Sequence, residues 1–274
     1  GGIAWYLQNI DSHMSAEKNI HRLCFSKNGL LVNEYNAIFH DLFGRRGPIY
    51  KKITQALTNG PMEYAKLATA AKYNTSGQFS EYLDNLESAG FILRDHTWNI
   101  KQNKPSGKSR FRLSDNYLRF YLKYIDKNLT HIQKDQYKQI ELGSLPAWNS
   151  IMGFQFENLI LSNRDLIIQK LGISPADIVN DNPYYQTHTT KTKACQIDYL
   201  IQTRQNTLYA CEFKFSNNDI GKGILKEMKT KIANLALPKG YACIPVLVHC
   251  SQVSDVVTDE QYFFEIIDFS EFLT

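Results

Sequence analysis

Residues Ala194–Phe215 read ACQIDYLI-QTRQN-TLYACEFKF, two apolar runs rich in Tyr, Ile and Phe around a short polar turn. This pattern predicts a β-hairpin. Side chains alternate across a strand, so Asp198 shares a face with Gln196 and Leu200, and Glu212 shares one with Ala210 and Lys214. A three-residue loop, Arg204 to Asn206, sets Thr203 against Thr207 and carries Asp198 opposite Glu212. Opposed Cβ atoms lie about 4.5–5.5 Å apart, where like charges destabilise a sheet. Two carboxylates so placed, with Lys214 close by, fit a divalent cation. Hard cations take oxygen ligands, and Mg²⁺ is held by one or two carboxylates plus water. A longer turn would instead shift the register and leave both acids as solvated edge charges.

Asp198, then Glu212-X-Lys214 on the next strand, with Glu157 in the preceding helix FQFENLIL (Phe154–Leu161), resembles the core of the PD-(D/E)XK nuclease superfamily. The resemblance implies a restriction-endonuclease-like mixed α/β/α domain. It also implies that Asp198 and Glu212 hold Mg²⁺ or Mn²⁺, that Lys214 orients or helps deprotonate the attacking water, and that Glu157 completes the catalytic set. From the residues alone, Glu157 is a solvated acid paired with a lysine, a metal-site acid, or a group that orients one.

Hydrophobic residues make up 43% of the 274 and charged ones 21%, which excludes a disordered chain and leaves room for more than one domain. A net charge of +4 permits an acidic partner without demanding one. The five cysteines (Cys24, Cys195, Cys211, Cys243 and Cys250) are odd in number and form no CxxC pair. Neither a zinc site nor a disulfide framework is expected, which fits a reducing cytoplasm. No signal peptide and no bilayer-spanning apolar run is read from the sequence.

Residues 1–44 read as short helices. GGIAWYL (Gly1–Leu7) and FSKNGLLVNEYNAIF (Phe25–Phe39) resemble the end of the helical lid in a prokaryotic family of P-loop AAA-type ATPases, with Ala4 where that family commonly has Pro. The resemblance implies an upstream ATPase domain as partner, a winged helix and a PD-(D/E)XK-like C-terminal domain. The start, without Met, reads as a boundary inside a longer chain. No G-x-x-x-x-G-K-[ST] stretch is present, so the phosphate-cradling loop is missing and no ATP hydrolysis is expected from these residues.

Residues 45–125 read as a winged helix: helices from Pro48, from Met62 to Lys72 and from Thr75 to Ala89, then strands Phe91–Asp95 and Ser109–Asp115 around a wing. The third helix offers Gln78, Glu81, Asp84, Asn85 and Glu87, a poor surface for phosphates. The wing offers Lys101, Lys104, Lys108, Arg110 and Arg112, which suit phosphate contact without sequence readout. A protein-contact scaffold with a solvated basic loop is the competing reading. Tyr117, Phe120, Tyr121 and Tyr124 recur at helical spacing and read as core rather than as a base-stacking platform.

Residues 126–274 hold the nuclease-like part. Trp148–Gly172 is expected as one long helix, Asn180–Thr192 as a polar stretch, with His188, Lys191 and Lys193 leading into the hairpin, and Ser216–Leu237 as a helix. On that last helix Lys222, Lys226 and Lys229 form one basic stripe, a solvated face or a surface for a phosphodiester backbone. Tyr241–Cys250 and Tyr262–Phe269 are expected strands, with Pro245 at a bulge or an edge.

Two functions follow. One is a Mg²⁺-dependent, nuclease-like and DNA-associated C-terminal region of an AAA-type ATPase. The other is a catalytically inactive interaction or regulatory module of that ATPase.

Overall fold

Asn206 adopts the left-handed conformation, with φ of 58°. A type I turn closed by one such residue is the usual build of a three-residue hairpin loop. The loop therefore keeps Arg204–Asn206 out of the ladder, and the pairs run from Gln202↔Leu208 to Tyr199↔Cys211. The register is the one expected from the three-residue turn, and one further step sets Asp198 opposite Glu212.

The computed structural model describes residues 3–137, 139–190 and 192–273. Lys191, expected among the basic residues before the hairpin, lies outside them. The fold is mixed α/β and divides into two units. The first comprises Gly1–Arg94 and Arg110–Ile151, the second Asp95–Ser109 and Met152–Thr274.

In the first unit, α1 (Ala4–Leu7), α2 (Ala16–Cys24) and α3 (Leu30–Phe43) lead into α4 (Gly47–Ala56). A short strand β1 (Met62–Glu63) precedes α5 (Tyr64–Ala70), so the second expected helix begins two residues late. The next helix, α6 (Gly77–Ser88), is capped by the Ser76 hydroxyl, which accepts from Phe79 N at 3.2 Å. Gly90, with φ of 77°, ends it. Strands β2 (Ile92–Asn99) and β3 (Lys104–Leu113) follow, and the sheet order is β1-β3-β2. Both strands run further than expected, so Lys104 and Lys108 lie in β3 rather than in a loop. Beyond them come α7 (Asn116–Phe120), a π turn over Tyr121–Ile125, and α8 (Leu129–Gln133). Tyr117, Phe120, Tyr121 and Tyr124 are all buried, and Tyr121 stacks on Tyr35 at 4.4 Å. They are core residues.

The second unit is built on a five-stranded sheet in the order β4-β5-β6-β7-β8. The strands are β4 (Ile178–Gln186), β5 (Cys195–Thr203), β6 (Thr207–Lys214), β7 (Ala242–His249) and β8 (Glu265–Asp268). The first three are antiparallel, while β6, β7 and β8 run parallel. One face packs against α9 (Trp148–Ser162) and α10 (Arg164–Lys170), through Phe156, Ile160 and Ile167 against Tyr199, Cys211 and Val246. The other packs against α11 (Gly223–Asn234) and α12 (Asp255–Asp259), through Ile224, Met228 and Val257 against Leu200, Ala210 and Leu247.

Four expectations need correction here. The long helix breaks at Asn163, whose backbone leaves the helical region and whose side chain donates to Leu159 O at 2.8 Å. The helix expected from Ser216 starts only at Gly223, because Ile220 bridges to Val253 instead. The polar stretch is largely strand β4, with register shifts at Ile178/Asn180 and Asn182/Tyr184, the second spanning Pro183. Pro245 lies in the interior strand β7. Its carbonyl accepts from Phe264 N at 2.9 Å, on the side where β8 starts one residue later, so the missing N–H costs no ladder bond.

The far end of the β2–β3 hairpin belongs to the second unit. Trp98 and Ile100 join its core beside Tyr184. Gln202, fully buried, accepts from Trp98 Nε1 at 2.5 Å and donates to Ile100 O at 2.9 Å and to the Asn103 side chain. Thr97 Oγ1 donates to Tyr185 O at 3.0 Å. Removing a buried hydrogen-bonding partner leaves the other groups desolvated and unpaired, at about 1–3 kcal/mol each. Gln202→Ala should therefore destabilise the protein by about 2–4 kcal/mol in urea unfolding, against under about 1 kcal/mol for an exposed Gln→Ala control.

Candidate active site

Two strands and a helix fix the groups at this site. Strand β5 supplies Asp198, with the parity of Leu200. Strand β6 supplies Glu212 and Lys214, with the parity of Ala210. That parity turns all three toward α11, and α11 brings Glu227 and Lys231 to meet them.

The Glu212 side chain is 1% exposed and binds two ammonium groups. Lys214 Nζ lies 2.9 Å from Oε1, and Lys231 Nζ lies 2.5 Å from Oε2. Glu227 bridges the same lysines, at 3.1 Å from Lys214 and 3.4 Å from Lys231. Asp198 Oδ2 accepts from Phe213 N at 2.9 Å, just beyond the last β5–β6 pair, Tyr199↔Cys211. Glu157, on α9, is near enough for its charge to act on Asp198.

Burial pushes Asp198 up to about 6, with Glu157 adding to the rise and Lys231 opposing it. Burial likewise pushes Glu212 up to about 7, helped by Asp198 and opposed by Lys231 and Lys214. Desolvation works against the ammonium of Lys231, but Asp198 and Glu212 outweigh it and raise its pKa. Lys214 is raised in the same way, with Glu212 the main favourable partner. Glu227 is less buried, and its lysine partners pull its pKa below the usual range despite desolvation. Carboxylates thus outnumber ammonium groups, and the two acids facing across the hairpin repel one another.

That donor set suits a hard cation in type and number: two carboxylates on facing strands, with a third acid near. Among the described residues, no group of three His, Cys, Asp or Glu side chains is arranged as a metal cluster. Both Glu212 oxygens are also engaged by lysines.

The structure brings together Asp198, Glu212, Lys214 and, through its charge, Glu157. The basic residues are elsewhere or otherwise occupied. Lys101, Lys104, Lys222 and Lys226 are exposed. Lys108 donates to Thr187 Oγ1 at 2.6 Å, Arg110 lies 4.0 Å from Glu63, and Arg112 is buried. His188 and Lys193 are exposed on the approach to β5.

Sequence reasoning missed Lys231 and Glu227. The signal was present. Lys231 stands three residues after Met228, seven after Ile224 and four before Leu235, so it is a lysine on the apolar stripe of α11. Such a lysine needs a buried partner.

No protein-family model matches the chain. It is 30% identical over 110 residues to uncharacterized protein MJECL04 of Methanocaldococcus jannaschii. That stretch is 40% of this chain, and it spans 24% of the curated relative's length. Among solved structures, the SdaI restriction endonuclease aligns over 87% of this chain and 89% of its own. With a TM-score of 0.24 and 11% identity, that likeness carries no argument. Among the described residues no helix is long and apolar enough to cross a membrane.

Two measurements probe the cluster. A carboxyl whose pKa is higher folded than unfolded binds more protons in the native state, so its contribution to stability declines as pH rises between the two values. For Asp198 the window runs from the ordinary value of 3.8 to about 6. Asp198→Asn should gain stability relative to the wild type across that window in paired denaturant titrations, and the difference should level off above it. Lys231→Met leaves Glu212 with Lys214 alone. Breaking a buried pair is costly, so the loss should be about 2–3 kcal/mol at pH 8. It should shrink as pH falls below about 7, where a proton on Glu212 replaces the lost ammonium.

Proposed function

We propose that the second unit is a metal-dependent phosphodiesterase of the nuclease class, with Asp198 and Glu212 as ligands for Mg²⁺ or Mn²⁺. The observation that carries this reading is the buried Glu212 carboxylate facing the partly buried Asp198 across one hairpin, with a third acid near and lysines beside them. Like charges held together in a dry site have a high cost unless a cation is used there. A bound divalent cation would polarise the phosphoryl oxygen and lower the pKa of its water.

The chain's own residues do the remaining work. Lys214 reaches toward Glu227 at the more open side of the cluster, where its ammonium can hold a water or a phosphate oxygen. Glu157 supplies a further negative charge on the Asp198 side. We read α4, α5 and α6 with the sheet β1-β3-β2 as a winged helix, in keeping with their order. DNA is the proposed substrate, with Lys101, Lys104, Lys222 and Lys226 as exposed phosphate contacts. Association with an AAA-type ATPase domain belongs to the same proposal.

A second reading rests on the two ammonium groups that already occupy both Glu212 oxygens. On that reading the cluster is a fixed internal ion network, and the unit is an inactive interaction module.

Millimolar Mn²⁺ decides between them. A ligand that binds only the native state stabilises it, and occupancy at about ten times Kd corresponds to a Tm rise of about 2–4 °C. The wild type should show the rise and cleave DNA only with the metal, and Asp198→Asn should do neither. No rise in the wild type favours the ion network. Metal-dependent cleavage undiminished in Asp198→Asn removes the role given to that acid.

A further inference from the structure

A cation shared by Asp198 and Glu212 takes at least one oxygen from each, and both Glu212 oxygens already carry an ammonium group. The two lysines are not equivalent. Lys214 stands two residues after Glu212 on β6, 2.9 Å from Oε1, while Lys231 comes from α11 and lies 2.5 Å from Oε2. Against the cost of burial, the charge of Lys214 is favoured by Glu212 and Glu227, and that of Lys231 by Asp198 first and then Glu212. Lys231 thus serves the same two acids that the proposed cation would.

Lys231 also has a second seat. Glu227 lies one turn back on the same helix, with Oε1 3.4 Å from Lys231 Nζ. A glutamate four residues before a lysine is the favourable order for such a pair. The Glu227 side chain is 43% exposed against 1% for Glu212, so this second seat faces solvent. Glu227 also pairs with Lys214 at 3.1 Å, and a carboxylate, with about four lone-pair sites, can accept from both lysines. The flexible four-carbon stem of a lysine lets Nζ pass from Glu212 to Glu227 while α11 stays in place.

We propose that Lys231 is an internal counter-ion that competes with the divalent cation for Glu212, and that it yields by moving its ammonium to Glu227. The proposal rests on the reading of Asp198 and Glu212 as metal ligands. On Glu212, the ammonium offsets the buried charge while no metal is bound. A cation on the same carboxylate repels it, and Glu227 receives it. The apparent metal affinity is then the intrinsic one scaled by the fraction of molecules with Lys231 off Glu212.

Titrations of the whole chain with Mn²⁺, read by the electron paramagnetic resonance of the free ion, test this together with a crystal structure of the wild type grown with Mn²⁺. With Lys231 on Glu212 in about nine molecules of ten, binding is about tenfold weaker, so Lys231→Met should bind Mn²⁺ at least about tenfold more tightly than the wild type. Lys231→Gln, which removes the charge and keeps a donor, should shift the affinity in the same direction should Lys231→Met fail to fold. Lys229→Met removes the same charge from an exposed place on α11 and should change the affinity less than about twofold. In the crystal, Lys231 Nζ should lie on Glu227 and off Glu212 Oε2. Mn²⁺ held by Asp198 and Glu212 with Lys231 still on Oε2 overturns the counter-ion role and leaves the metal reading standing, as does equal affinity in the wild type and the Lys231 variants. No Mn²⁺ binding by any of them overturns both. Binding by the Lys231 variants alone supports the role, with Lys231 excluding the metal from the wild type.

Discussion

Glu212 is a carboxylate removed from water, and its surroundings answer the cost of keeping it there. Two lysines bind its oxygens, one from its own strand and one from α11. Burial and a facing aspartate raise its pKa to about 7. Replacing such a network with apolar residues of similar volume is often neutral or stabilising, so stability alone is a weak reason for a chain to keep it. The unit has ample apolar core on both sheet faces and does not need such a network for stability, which is why we propose a chemical role for it.

The geometry rests on three local decisions. A three-residue turn with Asn206 in the left-handed region fixes the register that faces Asp198 with Glu212. The apolar stripe of α11 docks Ile224 and Met228 on the sheet and so carries Lys231 inward. The parallel strands β6, β7 and β8 end together, and a polar cavity lies at their ends beside Lys214. One side of this sheet thus holds two polar features of different character. The ion cluster is rich in both charges, while the cavity is lined by Asp219, Asp268, His249 and uncharged polar side chains, with no lysine or arginine among the described residues.

The hairpin was legible in the sequence because its signals are local: alternating apolar residues, a short polar turn and the counting of register. The facing acids followed from that count. Strand β4 was not legible, because its run Asn180-Asp181-Asn182-Pro183 has the composition of a loop. It becomes a strand only by pairing with β5 across two register shifts. Lys231 was readable in principle from its place on an apolar stripe, yet its partner lies 19 residues away on another element. The end of the β2–β3 hairpin is the plainest non-local case. Its basic residues suggested an exposed wing, but Trp98 finds its hydrogen-bond partner 104 residues later in Gln202. Sequence periodicity does not report a bond of that span.

The most direct measurement is a carboxyl ¹³C NMR titration of Asp198 and Glu212, without metal and with Mg²⁺. The pair should titrate well above ordinary carboxylates without metal, with apparent values near 6 and 7. Added Mg²⁺ should drive both midpoints down, since a cation bound to the carboxylates favours their charged form. Midpoints near 4 in both conditions would contradict the account, because they would mean that the two acids neither face one another in a dry site nor share a cation.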